Sequence, residues 1–187
     1  MDKDSGLVIQ ARSDRAALVE LYRRHYGAIF RYCAHRLFDR AVAEDVTSEV
    51  FLKMVENFHS FRGTEKQFRN WLYRIAINAV NHHLRRMNRR KSLLRAAREQ
   101  SNNRAADCDE SPERLALLRQ AMLALKPRYQ TVITLRFFEN LKLTEIAEVL
   151  GSSPCTVRSQ LARALARLRK QLAVEFTDET EVIENEQ

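Results

Sequence analysis

LTEIAEVLGSSPCTVRSQLARALARLRK (Leu143–Lys170) is a break between two helical patterns, and the way it is punctuated decides the architecture. Thr144 can cap a short first helix, Gly151 stops it, and Ser152 or Ser153 followed by Pro154 starts a second. At 100° per residue from Val157, the residues Leu161, Ala164, Leu165 and Leu168 fall within about 80° of it, a stripe suited to burial. Cys155, Arg158, Ser159, Ala162, Arg163 and Ala166 take the remaining arc. This outward set is small apart from two arginines. A helix entering a major groove needs that shape, with little bulk at closest approach and donors for guanine edges or phosphates. The spacing predicts a helix-turn-helix that binds DNA.

Working backwards, KPRYQTVITLRFF enters a helix at Pro127, and SPER restarts order with Ser111 as N-cap and Pro112 at the first helical position. Leu115, Leu118, Met122 and Leu125 form the stripe of that helix. Before it, Met87–Ser111 is polar and partly basic and reads as a linker, although KSLLRAAREQ can prolong the preceding helix. Nearer the N-terminus, Leu18, Leu21, Tyr22, Ile29, Phe30, Cys33 and Leu37 recur at helical spacing from Ser13 to Phe38, with a bend expected near Gly27. A second helix is expected from about Ala41 to Asn57. Thr64–Gln67 (TEKQ) has the spacing of a capping box and should start a third, carrying Phe68, Trp71, Leu72, Ile75, Ala76 and Ala79 on one face. The fold class expected is all-α, two small helical domains joined by a flexible linker. Residues 12–90 form the first domain, 91–111 the linker, 112–173 the second domain, and 174–187 a disordered acidic tail.

Composition narrows the function. The 187 residues carry a net charge of +8 with only 4 Gly and 3 Pro. The last 14, VEFTDETEVIENEQ, hold six acidic residues and no basic one, which leaves 32 basic against 18 acidic residues on 1–173, a net +14. Such an excess suggests a polyanionic partner. Three scattered cysteines, Cys33, Cys108 and Cys155, read as reduced thiols. MDKDSGLVIQ is not a signal peptide and no run approaches the length of a membrane span, so a cytoplasmic protein is expected. His82 and His83 are adjacent and point about 100° apart, a poor metal pair. Asp45 and Glu49 lack a neighbouring base, nucleophile or phosphate loop. No enzyme, metal or cofactor is expected.

Two motif sets carry a resemblance. TVRSQLARA resembles the recognition helix of the promoter-binding C-terminal domain of bacterial sigma factors of the extracytoplasmic-function (ECF) group, keeping Thr156, Val157, Ser159, Leu161, Arg163 and Ala164; Gln160 stands where that group usually has Arg. AEDVTSEVFLKM is similar to the group's polymerase-docking helix at Asp45, Glu49, Phe51 and Leu52, with Ser48 replacing the usual Gln. FRNWLYRIAINAVNHHLRR resembles its promoter-opening segment at Phe68, Arg69, Trp71, Leu72, Tyr73, Arg74, Ile75, Ala76 and Asn78, with Asn81 in place of Asp.

The resemblance implies an initiation factor that binds core RNA polymerase (the beta-prime clamp helices and the beta flap) and promoter DNA, with an anti-sigma factor as a further partner. It implies docking through Asp45, Ser48, Glu49, Phe51 and Leu52. It implies −10 recognition and melting through Arg62, Gly63, Thr64, Lys66, Tyr73, Arg74, Asn78, Arg85 and Arg86, and −35 recognition through Ser153, Cys155, Thr156, Arg158, Ser159, Gln160 and Arg163. Phe68 and Trp71 are expected in the core. A stand-alone helix-turn-helix regulator is the rival reading.

Overall fold

Short acidic and hydroxyl side chains set the helix boundaries. The Asp14 carboxylate accepts the Ala16 N–H at 2.8 Å to open α2 (Arg15–Leu37), and the Asp39 carboxylate accepts the Val42 N–H at 2.9 Å to open α3 (Arg40–Phe58). A short α1 (Ser5–Gln10), which the sequence pattern did not reveal, precedes them. Only Phe38 and Asp39 separate α2 from α3, and Phe38 turns the chain in the left-handed region at φ 54°. The expected capping box is formed: the Thr64 N–H donates to Gln67 Oε1 at 2.8 Å, and the Gln67 N–H to Thr64 Oγ1 at 3.4 Å. It opens α4 (Glu65–Arg98). The computed structural model describes residues 5–98 and 113–184, and the expected Ser111 and Pro112 start and Cys108 lie outside them.

The second half holds α5 (Glu113–Ala124), α6 (Pro127–Ile133), α7 (Leu143–Leu150) and α8 (Pro154–Glu184). From Thr134 to Phe138 α6 widens into a π-helical turn, closed by the Glu139 N–H donating to the Thr134 carbonyl at 3.2 Å. No strand occurs among the described residues, and the all-α reading holds.

Two boundaries differ from expectation, and the alternative left open after Met87 is resolved. Helix α2 runs unbroken through Gly27. Helix α4 continues to Arg98, because KSLLRAAR is rich in Leu, Ala and Arg, which favour helix. The backbone of 174–184 is helical rather than disordered and simply extends α8, since this stretch has neither Gly nor Pro to end it.

The two helical halves form as expected, but their cores join. Leu21, Ile29, Tyr32, Met54, Phe68, Leu72 and Val80 of the first half share one continuous apolar cluster with Val132, Leu135, Ile146, Val149 and Val157 of the second. A smaller cluster, Met122, Leu125, Tyr129, Ile133 and Ala164, lies under α8. Helix α7 is only eight residues long and is buried on both sides, by α8 and by α4. The junction also contains Arg36, 1% exposed, whose guanidinium donates to Gln130 Oε1 of α6 and to Asn81 Oδ1 of α4 at 3.1 Å. Both partners are neutral amides. The Asn at position 81 therefore leaves this buried cation hydrogen-bonded to neutral oxygens.

Candidate nucleic-acid interface

The turn between α7 and α8 is built as its sequence suggests. Gly151 adopts φ 61°, which a residue with a Cβ reaches only with strain, and its N–H closes onto the end of α7. Ser153 Oγ accepts the Thr156 N–H at 3.1 Å and pairs with Thr156 Oγ1 at 2.8 Å, so Ser153 is the cap and Pro154 the first helical residue of α8. At the start of α7 the expected cap, Thr144, instead lies inside the helix. The Lys142 N–H is met by Glu145 Oε2 at 2.8 Å, because a Glu at the third helical position reaches back over the first turn.

Val157 and Ala164 are fully buried under α8, and Leu161, Leu165 and Leu168 are half-buried beside them. Cys155, Thr156, Arg158, Ser159 and Arg163 are exposed on the opposite arc, and Gln160 lies at its edge, half-exposed. Next to this face Arg167 and Arg128 both lie against the ring of Tyr129, at 5.0 and 4.8 Å. All seven residues expected to read the duplex thus sit on one capped helix start.

The loop before α4 forms the second basic surface. The Arg62 guanidinium donates to the carbonyls of His59 (2.7 Å) and Phe61 (2.9 Å), which stiffens the loop. Gly63 is required for space: a Cβ there would stand 2.6 Å from Gln67 Oε1 and 2.9 Å from the Phe61 ring. A cleft of about 650 Å³ opens beside them, lined by Phe61, Arg62, Thr64, Lys66, Trp71 and Arg74. Trp71, expected in the core, is half-buried and lines this cleft, whereas Phe68 is fully buried as expected. Asn78, Arg85 and Arg86 follow on the exposed side of α4.

Helix α7 closes the other wall of the cleft. Glu148 accepts from Lys66 Nζ at 2.8 Å and from Asn70 Nδ2 at 3.1 Å. Glu145 Oε1 accepts from Arg69 Nη2 at 2.8 Å. Arg74 donates through Nε to the Val149 carbonyl and through Nη2 to the Glu148 carbonyl, both at 2.7 Å. These donors hold both carboxylates below the ordinary Glu range: chiefly the backbone N–H of Lys142 and then Arg69 for Glu145, and Lys66 and Asn70 for Glu148.

Tyr73, which the resemblance assigns to the −10 strand, is only 3% exposed, and its hydroxyl donates to Glu139 Oε2 at 3.0 Å. Burial raises the Glu139 pKa, although Tyr73 and Arg31, 3.5 Å away, pull it down. The resemblance names Tyr73 without saying which way it faces, and its contact with Glu139 of the second half helps to bury it. Arg69, Asn70, Glu145 and Glu148 were not singled out for these contacts. No local signal could have found them, because their partners lie some 75 residues away.

On α3, Asp45 and Ser48 are exposed, Glu49 pairs with Lys53 one turn on, and Leu52 is 60% exposed. Phe51 does not join them. It is 4% exposed and packs its ring on Tyr22, 4.7 Å away, so it belongs to the core. Val55, one turn after Leu52 and 50% exposed, completes the apolar part of this face; its spacing of three was legible in the sequence.

Residues 21–90 match the family Sigma-70 region 2, and residues 115–168 match Sigma-70, region 4. This chain is an ECF sigma factor. It is 31% identical to the RNA polymerase sigma factor YlaC of Bacillus subtilis, over 84% of this chain and 93% of that protein. It is 32% identical to the RNA polymerase sigma-H factor of Pseudomonas aeruginosa, over 91% and 94%. Among solved structures it is similar to CnrH in complex with the cytosolic domain of CnrY, with a TM-score of 0.64 and 25% identity over 92% of this chain and 99% of that one. The fold is also shared with RpoE of Bartonella quintana, solved with the anti-sigma factor NepR (TM-score 0.59, 18% identity, 83% and 96% covered). The sigma factor is a promoter-directing initiation factor, and the stand-alone regulator reading is not favoured. No described helix is long and apolar enough to cross a membrane.

Proposed function

We propose that this sigma factor works in the cytoplasm without catalysis, through three separate surfaces. The α3 face of Asp45, Ser48, Glu49 and Leu52 docks on the beta-prime clamp helices of core RNA polymerase, and the second domain rests on the beta flap. The 62–66 loop, with Arg62, Gly63, Thr64 and Lys66, and the α4 residues Arg74, Asn78, Arg85 and Arg86 hold the −10 strand as the duplex opens. The start of α8, from Ser153 to Arg163, reads the −35 element in the major groove. Melting needs no hydrolysis, because contacts to the opened strand offset the few kcal/mol lost per unstacked step.

The observation that carries this reading is the α8 face: a capped helix start with small exposed residues and two outward arginines over a buried Val157–Ala164 stripe. An anti-sigma factor is proposed as a further partner, since both solved relatives were captured with an interaction partner. The test is run-off transcription from genomic fragments with core polymerase, with and without the protein. Transcripts that depend on the protein are expected. None from any fragment, together with tight promoter binding in the absence of polymerase, would favour the stand-alone regulator instead.

A further inference from the structure

The two basic surfaces are treated differently by the fold. The duplex-reading face of α8 is open, while Lys66, Asn70 and Arg74 beside the strand-holding surface are engaged by the end of α7. That end resembles a nucleic-acid backbone in its chemistry. Lys66 and Asn70 donate to one carboxylate, which offers them the negative charge and paired acceptor oxygens that a phosphate also offers, and Arg74 is held by the carbonyls of Glu148 and Val149 at the negative end of a helix dipole. Asn78 lines a second cleft whose far wall is Val149, Leu150 and Gly151.

We propose, building on the strand-opening role assigned above, that the acidic end of α7 is an internal phosphate mimic that occupies, and so masks, the Lys66–Arg74 part of the strand-holding surface in the free protein. In this closed form the α8 face stays open to duplex, while an opened strand must compete with Glu148 for Lys66 and Asn70 and with the end of α7 for Arg74. Polymerase docking or strand capture must first displace α7 from α4. The polar part of the mask is suited to exchange. Its ion pair is solvent-accessible, with Lys66 58% and Glu148 44% exposed, so the contact is weak and replaceable by a phosphate making the same bonds.

The test uses the full-length protein and its Glu148→Gln variant, which keeps the shape of the side chain and lies outside the proposed DNA-contacting set. A fluorescent oligodeoxythymidine strand and a labelled duplex serve as probes. The variant should bind the single strand about two- to fivefold more tightly than the parent and the duplex equally well; unchanged strand affinity overturns the mask.

A second measurement needs no substitution. Lys66 Nζ and Glu148 Oε1 are 2.8 Å apart, within reach of zero-length carbodiimide coupling. Mass spectrometry should find the 66–148 cross-link in the free protein, and saturating single strand should suppress it. Absence of the link, or an equal yield with strand bound, overturns the proposal. Protein-dependent run-off transcription is scored separately. Transcripts without the cross-link sink the mask alone, and a cross-link without transcripts sinks the sigma role of these surfaces while leaving the closed form standing.

Discussion

His25 is buried between Phe68, its ring 5.3 Å away, and the Arg24–Glu65 pair. Burial, and then the charges of Arg24 and Arg69, push its pKa down to about 4. In the unfolded chain it titrates near 6.5. The unfolded state therefore takes up a proton first as the pH falls. The stabilising contribution is complete above pH 6.5 and is lost towards pH 4, on the order of 3 kcal/mol in total. Glu139 acts in the opposite sense, since burial raises its pKa and stability falls as the pH rises through and above the carboxylate range. Denaturant unfolding between pH 7.5 and 4.5 should show a loss of stability in the parent that is much reduced in His25→Gln; equal slopes would remove His25 as the cause. At Gly63 the issue is space. Gly63→Ala should disturb the Gln67 cap and the Phe61 ring, costing about 1–2 kcal/mol by thermal melting and lowering promoter opening in permanganate footprints.

Among the elements, α8 has its buried and exposed arcs fixed by Val157 and Ala164, so the outward Arg158 and Arg163 can be tested without touching the core. Arg158→Ala or Arg163→Ala should each weaken promoter use by about 1–3 kcal/mol in run-off assays, with thermal stability unchanged. Unaltered transcript yield would refute the role of that side chain. The same helix shows how much was legible. Ser153, Pro154 and Gly151 act locally, through φ angles and hydrogen bonds spanning three residues, and the sequence declared them. The capping box of α4 was equally plain. The cap of α7 was misassigned to Thr144 because Glu145 can serve Lys142 as well, and sequence spacing allows both. Phe51 was misplaced because motif resemblance does not say which side of α3 faces Tyr22. Helices α1 and 174–184 were missed because neither carries a long amphipathic repeat.

For the whole molecule, one apolar cluster joins the two halves, with Arg36, Gln130 and Asn81 buried at the seam. Calorimetry should therefore give a single transition with equal van't Hoff and calorimetric enthalpies, whereas two resolved transitions would show that the halves unfold independently. This joining was invisible in the sequence, because every contact across it links residues far apart in the chain. The shared core also bears on synthesis. Leu72 and Val80 leave the ribosome well before Ile146 and Val157, their neighbours in the cluster. At about 5–20 residues per second, the first three long helices wait roughly 4–15 s with part of their apolar surface uncovered. During that interval the nascent chain presents a greasy patch that the finished protein hides, so factors that guard emerging chains meet it before polymerase does.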